Sequence, residues 1–369
     1  MTRWDAFTDV CGVLRAGLLG GEPPPQRYNR NWKLLIEMSS FHFVTPSLAG
    51  SLQDETVPHE VREYMDALLA LNGRRNALQL EALSRIVAAL NAIDIEPVLL
   101  KGCARLVQGD YPQPNMRFLG DLDVLVPTNR TKDAYAALMA NGFSEKPGYG
   151  IPADCHHLPV LHEHQSGAGV DIHGELSMGP GAQILSTSWF YQGSRSFRLQ
   201  DDLRIRLPDA TRSVCHNIVH HQLHHSGYVK RTIELRQLLD LALIRKRHED
   251  AIDWAELDHL FCQHGFGQVL ATYLQFGEEL LGQKAPRFRN RPCVGTNESF
   301  RRIVDPPIVS ALFALLAAYV RARRHDPLGA LRSLNPMSWP RRFKLLQDAR
   351  SFRSLSVRKS GLWKELWER

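Results

Sequence analysis

The apolar spacing of this chain changes character twice, and those changes constrain its architecture more than anything else. In "VREYMDALLALNGRRNALQLEALSRIVAALNAI", apolar residues recur every three or four positions, the period of a half-buried helix. Pro58 opens that helix, and Gly73 is expected to mark a kink or a junction between two helices. At residue 95 the pattern breaks into short apolar runs closed by Gly or Pro. "IEPVLLKG" reads as a strand and a turn ending at Gly102, and "CARLVQGDY" as one short helix. "PQPNM" reads as a loop, and "DLDVLVP" as a second strand stopped by Pro127. "TNRTKDAYAALMANG" reads as a helix with Thr128 as its N-cap and Gly142 at its end. "HHLPVLHEH", the turn "QSGAG" and "VDIHGEL" read as an antiparallel hairpin. From about 209 the helical period returns in four segments, the first capped by Asp209.

One helix between strands, then a hairpin, with helices on both sides, predicts an α+β chain built around a small mixed sheet. The expected division has five parts. Residues 1–31, with "GEPPPQ", form a mobile arm after one short helix. Residues 32–94 are N-terminal helices packing on the core, the first running up to Pro46. Residues 95–208 hold the sheet, 209–282 a helical bundle, and 283–369 a basic connector with C-terminal helices.

Charge separates the last part from the rest. The chain is +6 overall, but residues 301–369 carry fifteen Lys+Arg against five Asp+Glu. That segment reads either as the solvated face of amphipathic helices or as a contact for RNA, DNA or anionic lipid. The most apolar stretch, 308–320, has 13 residues, short of the ~18–20 that span a bilayer. No transmembrane segment is expected, and the N-terminus has no apolar signal region. The six cysteines include no C-x-x-C pair, which disfavours zinc knuckles and disulfide scaffolds and fits a cytoplasmic protein.

Three features within 95–208 carry chemistry. "LLKG" places Gly102 directly after a strand, where the backbone can approach a phosphate, with Lys101 as a point charge. "DLD" puts Asp121 and Asp123 on one face of a strand. Two same-face carboxylates suit hard divalent cations, Mg²⁺ or Mn²⁺. "VDIH" sets Asp171 in an apolar strand, where a third carboxylate would complete a two-metal site for in-line displacement. His173 shares the Asp171 face, and His156 and His157 precede a neighbouring strand. In "CHNIVHHQLHH", His216, His220 and His224 recur every four residues, as do His221 and His225. That spacing reads as a polar helix face, a zinc set, or the lining of a cleft.

In this order the motifs resemble the nucleotidyltransferase superfamily typified by DNA polymerase β. More narrowly they resemble the bacterial uncharacterised nucleotidyltransferase family, through "LLKG" at 99–102, "RFLGDLDVLV" at 117–126 and "VDIH" at 170–173. The resemblance extends over roughly 32–282. It implies a nucleotidyltransferase domain at 95–208 and an acceptor-side wall at 209–282. Asp121, Asp123 and Asp171 would be the catalytic metal ligands, with Asp171 also helping to deprotonate the acceptor. Gly102 would lie under the triphosphate, and Lys101, Arg117 and His173 would contact the nucleotide. Lys101 and Arg117 read equally well as salt-bridge partners of the acidic cluster. Many superfamily members have Gly-Ser where this chain has Gly102-Cys103, and a thiol is a poor phosphate donor.

The expected activity is transfer of an NMP, AMP foremost, from an NTP to an acceptor hydroxyl with release of pyrophosphate, Mg²⁺ or Mn²⁺ being the cofactor and ATP the expected donor. The acceptor is open among small molecules, peptides, proteins and RNA. The alternatives are a non-catalytic nucleotide-binding or interaction protein on the same scaffold, and an RNA-end-modifying enzyme using its basic C-terminal segment.

Overall fold

The computed structural model describes residues 2–22, 30–52, 57–145, 158–164, 166–200, 202–230 and 232–288. His156, His157, the apolar run at 308–320 and the basic C-terminal segment lie outside the described residues.

The chain opens with α1 (Arg3–Leu14), started by a reciprocal cap between Thr2 and Asp5 and extended by a π-turn to Leu19. Phe7, Val10 and Leu14 are buried, and Lys246 donates to the Leu18 carbonyl at 2.7 Å. The short helix expected ahead of the arm is thus docked on the later helices, and residues 23–29 of the expected arm lie outside the described residues. The apolar residues of α1 recur every three or four positions and are too numerous to leave in water. α2 (Trp32–Phe41) and α3 (Thr45–Ser51) follow. Pro46 does not end a helix as expected but occupies the first turn of α3, where its missing N–H removes no bond.

α4 runs unbroken from His59 to Asn91, straight through Gly73. Gly73 answers a close approach rather than a kink, since a Cβ there would lie 3.1 Å from the Asn115 Cβ. The middle of the buried stripe on α4 is polar: Asn72, Asn76 and Gln79, at i, i+4 and i+7. Asn72 donates to the carbonyls of Asn115 (2.7 Å) and Arg117 (3.0 Å), and Asn76 to those of Pro114 (2.8 Å) and Arg117 (2.7 Å). With its amide oriented to satisfy both neighbours, Gln79 donates to Leu119 O at 3.0 Å and accepts from Arg75 at 3.1 Å. These amides pin the segment leading to Asp121. Asn76→Ala removes the side-chain donor to the Pro114 carbonyl and leaves that of Arg117 to Asn72 alone, and we expect it to cost about 1–3 kcal/mol in urea unfolding. A loss below about 0.5 kcal/mol would contradict that role.

The remaining strands and helices of the sheet region are β1 (Val98–Leu99), α5 (Lys101–Val107), β2 (Leu122–Leu125), α6 (Thr131–Ala140), β3 (Phe143–Glu145), β4 (Leu161–Glu163), β5 (Gly169–His173), α7 (Pro180–Ile184), α8 (Thr187–Gln192), β6 (Ser194–Arg198) and β7 (Arg204–Pro208). They form one mixed sheet in the order β3-β4-β5-β2-β1-β7-β6. β4 and β5 pair antiparallel, as the sequence predicts. Thr128 does not cap α6. Its hydroxyl donates to Gly174 O at 2.7 Å and ties the end of β2 to the end of β5.

Residues of the central strands alternate between two cores. Leu122, Val124 and Val126 face Leu83, Ile86 and Leu90 of α4 and Leu138 of α6. Val98, Leu100 and Leu125 belong to the other core, with the helices that follow. Those are α9 (Ala210–Ile218), capped by Asp209, then α10 (Gly227–Lys230), α11 (Leu235–His248), α12 (Trp254–Gln263) and α13 (Gly267–Leu281). α9 continues into a π-turn, Val219–His224. No helix among the described residues is long and apolar enough to cross a membrane.

Candidate active site

β2 and β5 lie side by side and parallel, with Asp123 opposite Asp171 and Leu125 opposite His173. Because strand side chains alternate, Asp121, Asp123, Asp171 and His173 share one face. Leu125 is on that face too and packs into the core made with α9 and α11. The register thus aims the acidic groups at the helical bundle.

Nε2 of His173 lies 3.0 Å from Oδ1 of Asp123 and 3.4 Å from Oδ2 of Asp171. Lys101 Nζ lies 2.7 Å from the same Asp123 oxygen. Burial alone would raise the Asp123 carboxyl, but Lys101 and His173 outweigh it and hold it well below the usual carboxylate range. Burial disfavours the Lys101 charge, yet Asp123, then Asp171 and Asp121, raise its pKa above the ordinary lysine value. Asp121 stands exposed at the strand entry. Partial burial and the neighbouring Asp123 charge raise its carboxyl. Gly169 makes room for it, since a Cβ there would lie 3.1 Å from Asp121 Oδ1.

Ligand atoms of Asp123, Asp171 and His173 all lie within 4.8 Å of one another. Two carboxylates and one imidazole fit a divalent cation, the oxygens suiting Mg²⁺ or Mn²⁺ and the imidazole favouring Mn²⁺. His173, expected to contact nucleotide, falls in this set, and Asp121, expected to be a ligand, lies outside it.

Arg117 is buried at the wall of the cleft, and its ion-pair partner is neither Asp121 nor Asp123. Its Nε and Nη2 donate to the two oxygens of Asp240 on α11 at 2.9 and 2.7 Å. The Tyr111 hydroxyl donates to Asp240 at 2.8 Å. Asp240 was invisible in the sequence because it sits in the apolar run "LRQLLDLALI" with no motif around it. Gly102 is where this lock meets the turn. A Cβ there would collide with Arg117 Nη1 and lie 2.5 Å from Leu119 Cδ1. The positive φ of the turn belongs instead to Lys101, at 44°, a region unfavourable for a side-chain-bearing residue and held here by the ion pair to Asp123. Cys103 is fully buried, with burial pushing its thiol up to about 12. It reaches the Asp121 carbonyl at 3.9 Å, so it steadies the strand entry from the core side.

These groups open into a cleft of about 340 Å³. Its far wall comes from α9, the π-turn and α11, and includes His216, His220, His224 and His225. The π-turn brings residues five apart together, and His220 Nε2 faces His225 Nε2 at 3.2 Å. Among the described residues, these histidines form no three-ligand set like that of Asp123; they line the cleft.

Buried histidines set the acid response of the bundle. Burial depresses His216 to about 3 and His42 and His221 to about 4, from 6.5. The unfolded chain therefore binds more protons than the native one between pH 6.5 and about 4. Stability is complete above 6.5 and falls as pH drops through that window. At pH 5 the loss is on the order of 1–2 kcal/mol for each imidazole. Urea midpoints measured at pH 7.5 and 5 should fall accordingly, and an unchanged midpoint would contradict the buried neutral state.

A family model described as "Uncharacterised nucleotidyltransferase" matches residues 28–282. No curated protein and no solved structure matches the chain.

Proposed function

The chain belongs to the uncharacterised nucleotidyltransferase family, and from that membership we propose that it moves an NMP, AMP foremost, from an NTP to an acceptor hydroxyl and releases pyrophosphate. The observation that carries this reading is the convergence of Asp123, Asp171 and His173 on paired strands at the floor of a polar cleft.

Asp123, Asp171 and His173 would hold a divalent cation, Mg²⁺ or Mn²⁺, with Asp121 at its edge. When bound, such a cation neutralises charge on the reacting phosphate. Asp123 remains ionised because Lys101 and His173 stabilise its charge, so the anionic site is set before substrate arrives. Asp171 is the more open of the two, its side chain 22% exposed against 9% for Asp123. It is therefore the group placed to accept the proton of an incoming hydroxyl at a carboxylate oxygen. Lys101, at the turn beside Asp123, would offer its ammonium to the triphosphate. The cleft wall of α9 and α11 encloses the acceptor and excludes water.

The test uses ATP labelled at either the α- or the γ-phosphate, with Mg²⁺ or Mn²⁺ and pools of small hydroxyl compounds, peptides and RNA. Label from the α-position moves to an acceptor, pyrophosphate appears, and γ-label does not transfer. Transfer of γ-label would make the protein a phosphoryl-transfer enzyme and overturn this reading.

A further inference from the structure

At the Asp121 edge of the cleft, four side chains from four separate elements form a ladder. Arg236, at the start of α11, lies 5.0 Å from the Phe43 ring centroid. The Phe43 ring stacks on Phe118 at 5.7 Å and 24°, and Arg75 of α4 lies over Phe118 at 4.5 Å. Such stacked aromatic and guanidinium groups attract each other through the ring quadrupole.

The ladder is fixed to the catalytic strand. Arg75 donates to the carbonyls of Leu119 and Gly120. Arg236 lines the cleft and stands 4.0 Å from where a Gly120 Cβ would be. Phe118 and Asp121 are three residues apart, at most about 10 Å of chain. That is comparable to the distance between the base and the phosphates of one nucleotide.

Phe43 itself is out of place for a purely structural residue. It is 46% exposed and has φ of 58°. It closes the C-terminal turn of α2, where glycine is the usual residue and aromatic residues are disfavoured. The fold holds a large ring in an unfavourable backbone conformation under Arg236, which lines the cleft, with a cation at each end of the stack.

We propose that Arg236, held on the Phe43 ring and backed by Phe118 and Arg75, presents to the cleft the face on which the base of the nucleotide stacks. The proposal rests on the nucleotidyl-transfer reading above. Stacking on a ring or guanidinium face accepts any base, because every base has a π-face. The platform therefore positions the nucleotide without selecting its base, and base preference has to come from elsewhere in the cleft.

The experiment compares binding of ATP, GTP and inorganic tripolyphosphate to the full chain in the presence of Mg²⁺, by calorimetry, for wild type, Phe43→Ala and Phe43→Tyr. Circular dichroism melts verify that the variants fold. Phe43→Ala weakens ATP and GTP alike by about 5- to 100-fold, leaves tripolyphosphate unchanged, and Phe43→Tyr restores most of the loss. Three results would overturn the platform alone: unchanged ATP affinity in Phe43→Ala, equal weakening of ATP and tripolyphosphate, or slowed transfer with ATP affinity intact, which would place the ladder on the acceptor side. A wild-type protein that binds neither ATP nor tripolyphosphate would refute the nucleotidyl-transfer reading itself, and the platform with it.

Discussion

Asp171→Asn lowers the rate of α-label transfer by roughly 10²–10³-fold or more, and Asp123→Asn does the same. The two differ in stability. Asp171 is partly exposed and its contact with His173 is long, at 3.4 Å, so its neutralisation costs less stability than that of Asp123. Asp123 accepts from Lys101 at 2.7 Å and faces His173 at 3.0 Å in a buried position. Its neutralisation leaves the Lys101 ammonium without an ionised partner at that oxygen and lowers stability measurably. The rate effects are not additive, because both carboxylates serve one cation; the double variant should be little slower than either single one. Initial rates and thermal melts of the three variants check this. A double variant whose rate is the product of the two single losses would mean that the carboxylates act independently.

Asp240→Leu is expected to be the most damaging substitution for folding. Asp240 accepts from Arg117 at two atoms and from Tyr111. Burial would raise its carboxyl, and Arg117 outweighs burial and lowers it. Removing it leaves a buried guanidinium unpaired, at a cost of about 3–5 kcal/mol, which translates to a melting temperature lower by roughly 5–15 °C. Activity falls too, because the same guanidinium fixes the chain from Arg117 to Leu119 just before Asp121, through the Phe118 carbonyl and the Gly102 turn. Replacing both partners, as Arg117→Met with Asp240→Leu, removes the stranded charge and recovers part of the stability. A double-mutant cycle reads the coupling. A double variant as unstable as the sum of the single ones would show that the pair is not a lock.

The sequence discloses the acidic site well and its supports poorly. The D-x-D and VDIH segments lie on central strands whose apolar neighbours force a buried, period-two register, so the shared face of Asp121, Asp123, Asp171 and His173 follows from alternation alone. The choice of His173 over Asp121 as the third close group does not, because it depends on where Asp121 leaves the strand and turns toward Gly169. The hairpin β6–β7 carries a period-two signal in "RSFRLQDDLRIRLP", but its charges disguise a strand that pairs with β1 on the inner side of the sheet. α1 was legible as a helix but not as core, since only its contacts with later helices bury it. Asn72, Asn76 and Gln79 break the apolar stripe of α4 in a pattern visible in hindsight: three amides on one helix face have to satisfy backbone groups from somewhere else in the chain. The Arg117–Asp240 lock spans 123 residues, and nothing local in either segment announces it.

Anomalous diffraction from crystals grown with Mn²⁺ and a non-hydrolysable ATP analogue tests the central claim most directly. The expected result is a manganese peak coordinated by Asp123, Asp171 and His173, with Lys101 displaced from Asp123 and the α-phosphate at the metal. Nucleotide bound elsewhere, or manganese seated against His220 and His225 while Lys101 still pairs with Asp123, would contradict it.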